Sequence, residues 1–257
     1  MRKDIDFSFI MPSRGNKELL QKTLDSFERT TKNKDRLEFL ILFDIGTAED
    51  VPNFIRSLKY SFDIKFYYRE HSLWWTKDYF NFLAYRTSGR NICAFNDDAW
   101  IRTQDWDVKL LDAIKDSGWS IYMVDILDTA RIKYRHQFPC FPMISRKAMA
   151  TIGFFFHEQV KIYPADQILH GLYSEINRVL KVNDVLIQHD HVYELDNSKS
   201  ELMEVFRKQK EAGELNIDIS VDAFRLLREC SKDADRKPSK LKQIIKILKE
   251  PNNGGCR

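Results

Sequence analysis

Apolar residues along the first hundred positions fall into two alternating patterns. Short runs read as strands: Phe7 to Met11 (FSFIM), Leu37 to Phe43 (LEFLILF), Ile64 to Tyr68 and Ile92 to Phe95. Between them apolar residues recur at helical spacing, at Leu20, Leu24 and Phe27, and again at Val51, Phe54, Ile55 and Leu58. Trp75 to Arg86 reads as a third helix, with Gly89 as its stop signal. The near-continuous run at Leu37 to Phe43 suits a strand covered on both faces. Strand and helix thus alternate up to Phe95, which predicts a parallel, doubly wound sheet.

The pattern changes after Ile101. Trp106 to Ile114 reads as a helix and Ser120 to Ile126 as a strand. Asp128 to Gln137, with Arg131, Lys133, Arg135 and His136, reads as a basic loop. Pro139 and Pro142 break Phe138 to Ile144, which is expected at a sheet edge or as irregular chain. A short helix from Arg146, a helix over Asp166 to Ile176 and a last strand over Val182 to Gln188 complete this part. From Ser198 the chain is helical and charged. Ser220 is expected to cap a helix that turns Phe224, Leu227 and Cys230 inward. Leu241, Ile244, Ile245 and Leu248 make a stripe flanked by lysines, and residues 251–257 read as a disordered tail.

Composition narrows the function only a little. The 257 residues, 43% hydrophobic and 31% charged, describe a globular chain with a sizeable core. A net charge of +3 neither demands nor excludes a nucleic-acid partner. The four cysteines, Cys93, Cys140, Cys230 and Cys256, stand far apart without C-x-x-C spacing, which argues against a zinc site or a disulfide framework. No apolar run reaches the roughly 20 residues a membrane helix needs. The expectation is a soluble, cytoplasmic protein with reduced thiols.

The candidate chemistry sits at strand ends. In a parallel sheet, ligands bind beyond the carboxyl ends of the strands. Pro12-Ser13-Arg14, Asp44 and Asn96-Asp97-Asp98 occupy those ends, and His189-Asp190-His191 ends the last predicted strand. Adjacent carboxylates with a late imidazole offer ligands to a cation, and an acid at a helix start, such as Asp166, can act as a base. Plainer readings exist for each. Paired aspartates also make solvated turns, Asp166 also serves as a helix N-cap, and Arg131, Lys133 and Arg135 also suit a solvated loop. Trp74, Trp75 and Trp100 suit core or cleft wall better than a sugar platform.

In this order and spacing, these residues resemble the nucleotide-sugar glycosyltransferases of the GT-A fold, in particular the large inverting family 2 group. The resemblance spans about residues 7–192. It implies an α/β fold of GT-A type, Rossmann-like, with a mostly parallel central sheet flanked by helices and a helical C-terminal appendage. It divides the chain into a glycosyltransferase domain over 1–195 (a nucleotide-binding half, 1–101, and an acceptor half, 102–195), an appendage over 196–250 and the tail. It assigns Pro12, Ser13, Arg14, Asp44, Asn96 and Asp97 to the nucleotide sugar, Asp98 with His189 or His191 to the metal, and Asp166 to the catalytic base. Asn96 stands where the family's D-x-D motif has its first acid, and Ala165 where a Glu usually precedes the base. The implied cofactor is Mn2+ or Mg2+. The implied donor is a nucleoside-diphosphate sugar, with a UDP-sugar favoured, and the implied activity is hexosyl or pentosyl transfer to an acceptor hydroxyl. The acceptor stays open between a glycan and a modified base in DNA, for which the basic segment and the lysine-rich helix would supply phosphate contacts. A nucleotidyltransferase and a non-catalytic carbohydrate-binding protein are the competing classes. The sole glycine near the start, Gly15, disfavours the former, which usually needs a Gly-rich phosphate loop.

Overall fold

The computed structural model describes residues 4–135, 137–190, 198–214 and 217–230. Eight strands form one sheet: β1 (Phe7–Pro12), β2 (Leu37–Asp44), β3 (Asp63–Arg69), β4 (Asn91–Ala94), β5 (Ala99–Ile101), β6 (Met123–Asp128), β7 (Met143–Ser145) and β8 (Val179–His189). Their spatial order is β3-β2-β1-β4-β7-β6-β8-β5. The first four strands are mutually parallel, as the alternation predicts. Antiparallel partners enter with β7, which pairs with both β4 and β6, and with β5, which pairs with β8.

Side-chain alternation splits the apolar strands between two cores. Phe7, Phe9, Met11, Phe39, Ile41, Cys93 and Phe95 face one side, where Leu20, Leu24 and Phe27 of α1 (Lys17–Thr30) and Trp106 of α4 (Trp106–Ser117) cover them. Aromatic rings dominate here: Phe9 lies edge-on to Phe27 at 4.6 Å and to Trp106 at 5.6 Å. Ile10, Leu40, Leu42, Ile92 and Ala94 face the other side. There they meet Leu83 of α3 (Phe82–Ala84), α6 (Arg146–Ile152), α7 (Ala165–Glu175) and α9 (Ser220–Cys230). The run at Leu37 to Phe43 is apolar because both of its faces are covered. The short α2 (Val51–Ser57) buries Val51 and Ile55 against the first core.

Several expectations are corrected. The helix after β3 begins as a π-helical turn over Thr76–Asn81 before the short α3. Gly89 is no helix stop. A Cβ there would lie 2.5 Å from Ser8 Oγ and 2.9 Å from the Phe7 carbonyl carbon, so glycine lets the chain entering β4 press against β1. The proline-broken segment contains a central strand, β7, because both prolines precede it and the Pro142 carbonyl accepts from Ala94 N at 3.1 Å. The expected basic loop carries a short helix, α5 (Thr129–Tyr134), capped by the Asp128 side chain at Arg131 N. In α9 Leu226 and Cys230 are buried, whereas Phe224 is 43% exposed. The helix α8 (Ser198–Glu211) matches the charged helical expectation. The lysine-flanked stripe at 241–248 and the expected tail lie outside the described residues. No helix among the described residues is long and apolar enough to cross a membrane.

Candidate active site

The carboxyl ends of β1, β2 and β4 lie side by side because those strands are parallel neighbours. At the end of β1, Ser13 is held by its amide, which donates to Leu42 O at 2.9 Å. Its hydroxyl donates to Asp97 Oδ2 at 2.5 Å and accepts from Gly15 N at 3.0 Å. Gly15 has φ +81°, and a Cβ there would meet Ala48 at 2.5 Å, so the turn after β1 is built for glycine. Pro12 and Arg14 flank Ser13, half-buried.

Asp97 and Asp98 are both buried, and Asn96 is half-buried. Their backbone is clamped from α1: Thr23 Oγ1 donates to Asp97 O at 3.0 Å and to Ala99 O at 2.8 Å. Beyond them β5 pairs Ala99 with His189 of β8. That pairing brings His189 Nε2 to 3.3 Å from Asp98 Oδ1, with both side chains 6% exposed. Asp98 Oδ1 has no hydrogen-bond partner. A buried carboxylate oxygen without a donor is costly unless a ligand or ion completes it.

Residues that the sequence did not single out surround this pair. The ligand atoms of Asp128, Cys140 and His189 all lie within 4.8 Å of one another. Asp128 is fully buried at the end of β6, and Cys140 is half-buried before β7. Burial pushes the Cys140 thiol well above its ordinary range, and the negative charges of Asp128 and Asp166 push the same way. The field of Asp166 at Cys140 places the start of α7 beside this cluster. Asp166 Oδ1 accepts from the amide of Gln167. Arg131 is ion-paired with the buried Asp125, and the charges of both are felt by His170 on α7.

Asp44 lies at the same edge but two strands away from β4. Its contacts are His71 Nδ1 at 2.8 Å and the Tyr79 hydroxyl, which donates to its other oxygen. Burial, then the hydrogen bond to Asp44, drive the Tyr79 phenol well above its usual range, so it stays a donor. Arg69, at the end of β3, pairs with Asp78 at 3.1 Å and lies over the Tyr79 ring. The structure thus joins Ser13 to Asp97 and Asp98 to His189, and sets Asp166 near that group. Asp44 has its own cluster, and His191 lies outside the described residues. Asp128, Cys140, His71 and Tyr79 had no local signal: their partners are supplied by strands and turns remote in sequence.

The donor set fits a divalent cation. Two ligands on one ion with bonds of about 2.1 Å at right angles stand about 3 Å apart, close to the 3.3 Å between Asp98 Oδ1 and His189 Nε2. A hard carboxylate suits Mg2+ or Mn2+, and the imidazole tilts the choice toward a first-row ion such as Mn2+.

No family model and no curated protein sequence matches the chain. Solved structures do. The mannosyltransferase PcManGT from Pyrobaculum calidifontis, in complex with GDP-Man and Mn2+, aligns over 95% of this chain and 80% of its own, with a TM-score of 0.61 at 13% identity. Residues 1–349 of S. aureus TarS, with UDP-GlcNAc, align over 95% of this chain and 80% of that one, with a TM-score of 0.58 at 17% identity. GalNAc-T7, with UDP, GalNAc and Mn2+, aligns over 90% of this chain and 55% of its own, with a TM-score of 0.58 at 12% identity. The fold is therefore the GT-A fold of nucleotide-sugar glycosyltransferases, with a mixed, mostly parallel eight-stranded sheet flanked by helices.

Proposed function

We propose that this protein transfers a sugar from a nucleoside-diphosphate sugar to an acceptor hydroxyl with the help of a divalent cation. The observation that carries the reading is the buried Asp98 Oδ1, which has no hydrogen-bond partner and faces His189 Nε2 at 3.3 Å in the turn beyond β4. Asp98 and His189 hold the cation. Bound there, it would supply Lewis-acid stabilisation to the diphosphate leaving group. Ser13 and Asp97, joined by their short hydrogen bond, orient the nucleotide, with Pro12, Arg14 and Asn96 beside them. Asp44, set between His71 and Tyr79, takes the base end. Asp166 accepts the proton of the acceptor hydroxyl, a role that its place as the half-buried acid of the first turn of α7 suits. A DNA acceptor has less support, since Arg131 is already committed to Asp125.

Thermal melting with UDP, GDP, UDP-GlcNAc and GDP-mannose, with and without Mn2+ or Mg2+, tests the reading. At about a hundred times its Kd, a ligand of the folded state adds about 2.7 kcal/mol, a shift of several degrees. The expected result is a rise for at least one diphosphate that depends on the metal. No rise for any of them with either metal would remove the basis for the proposal.

A further inference from the structure

The carboxylate of Asp128, the thiol of Cys140 and the imidazole of His189 come from the end of β6, the segment before β7 and the end of β8. The oxygens of Asp128 accept from Arg131 N at 2.7 Å and from Cys140 N at 3.4 Å. These bonds fix the carboxylate in place from two sides. Asp98 Oδ1, buried and without a hydrogen-bond partner, lies 3.3 Å from the same imidazole, from the turn between β4 and β5.

We propose that Asp128, Cys140 and His189 form a second donor set, suited to a soft divalent cation of the zinc class, and that this set competes with the Asp98–His189 pair for the shared imidazole. A thiolate is a soft ligand and selects zinc over magnesium or manganese. A zinc tetrahedron has edges of about 3.5 Å, so side-chain shifts of about 1 Å bring the present span of up to 4.8 Å to that geometry. The fourth position falls to water or to Asp98. On binding, the sulfur–proton bond is exchanged for a sulfur–metal bond, and the proton leaves to solvent. With water in the fourth position, carboxylate, thiolate and neutral imidazole balance the two positive charges, so no net charge is buried. Half-burial of Cys140 leaves a route for the ion. The soft-metal site stands on its own donors. Only the competition rests on the reading of Asp98 and His189 given above.

The test uses the full chain carrying Cys256→Ser, which removes the thiol outside the described residues, and compares it with the same chain carrying Cys140→Ser as well. Reduced, metal-free protein is titrated with Co2+, read by the thiolate-to-cobalt charge-transfer band, and with Zn2+ against a chromogenic chelator. The expected result is one equivalent of zinc, a cobalt band that Cys140→Ser abolishes, and zinc affinity lowered at least about tenfold by that change. A cobalt band that survives Cys140→Ser, or zinc affinity unchanged by it, overturns the site. Competition is read by electron paramagnetic resonance of free Mn2+. Zinc should release bound Mn2+, and Cys140→Ser should raise the zinc needed by the same factor. Mn2+ that stays bound at full zinc occupancy overturns the competition alone. Protein that binds no Mn2+, even with a nucleoside diphosphate, overturns the metal reading of Asp98 and with it the competition, while the cobalt band still decides the zinc site.

Discussion

The two ends of the same sheet each bury a carboxylate, and they treat it in opposite ways. At the amino end of β2, Glu38 is fully enclosed. Its Oε1 accepts from Ser8 Oγ at 2.5 Å, from Gly89 N at 3.2 Å and from Ser88 N, and its Oε2 accepts from Lys65 Nζ at 2.6 Å. Burial pulls the Glu38 pKa up, but the hydrogen bonds from Lys65, Ser8 and Ser88 outweigh it and hold the group below its ordinary value. Nothing is left for a ligand to do there. At the carboxyl end, Asp98 is also buried, with its side chain 6% exposed, but one of its oxygens has no hydrogen-bond donor and faces an imidazole. Burial alone therefore does not distinguish a structural carboxylate from a functional one. Between these two groups the difference lies in how many lone pairs meet a donor.

The largest effect should come from the open end. Asp98→Ala is expected to lower sugar transfer by about a thousandfold, or roughly 4 kcal/mol in the barrier. The metal-free melting temperature should hold within about 2 °C, because the side chain lost has an unmade hydrogen bond. Steady-state kinetics beside melting of the apo protein checks both. A large fall in melting temperature with activity retained would erase the distinction between the two ends.

Glu38→Ala should do the reverse. It leaves the Ser8 hydroxyl and the Ser88 amide without their acceptor, which costs about 2 to 4 kcal/mol, while Lys65 keeps Asp63 and Gly89 N keeps Ser8 Oγ. Urea unfolding would report it, and turnover per folded molecule should be unchanged.

Gly89→Ala tests the same closed end by shape. The new Cβ meets Ser8 at 2.5 Å and backbone at 2.8 Å, so strand β1 or the chain entering β4 must shift. The expected cost is about 1 to 3 kcal/mol in the same unfolding assay.

The smallest effect is on acid stability. Glu38 has a depressed folded pKa, so its stabilisation is present above the ordinary glutamate range and is lost as pH falls through the depressed value. Glu38→Gln removes that titration. The slope of unfolding free energy against pH, measured from about pH 6 to about pH 3, should be shallower in the variant by up to one proton. An identical slope would mean that Glu38 does not carry this part of the acid limb.

Much of the first half was determined by the sequence alone. Strands at Phe7, Leu37, Ile64 and Ile92 and helices after the first two follow from local periodicity, because each element shows its buried face in its own residues. The parallel sheet follows from their alternation. The clusters at the ends of β1, β2 and β4 were legible for the same reason, since chain order places them at one edge. Tertiary structure decided the rest. Pro139 and Pro142 read as edge signals, yet β7 is central, because the prolines fall just before the strand that needs its amides. Gly89 reads as a helix stop, yet its constraint is contact with β1, some 80 residues away in sequence. Cys140 has no ligand neighbours by local spacing. It stands with Asp128 and His189 because β6, β7 and β8 deliver three unrelated segments to one point. Which carboxylate is saturated and which is open is likewise not written in the local sequence. It depends on donors that only the folded sheet brings within hydrogen-bond reach.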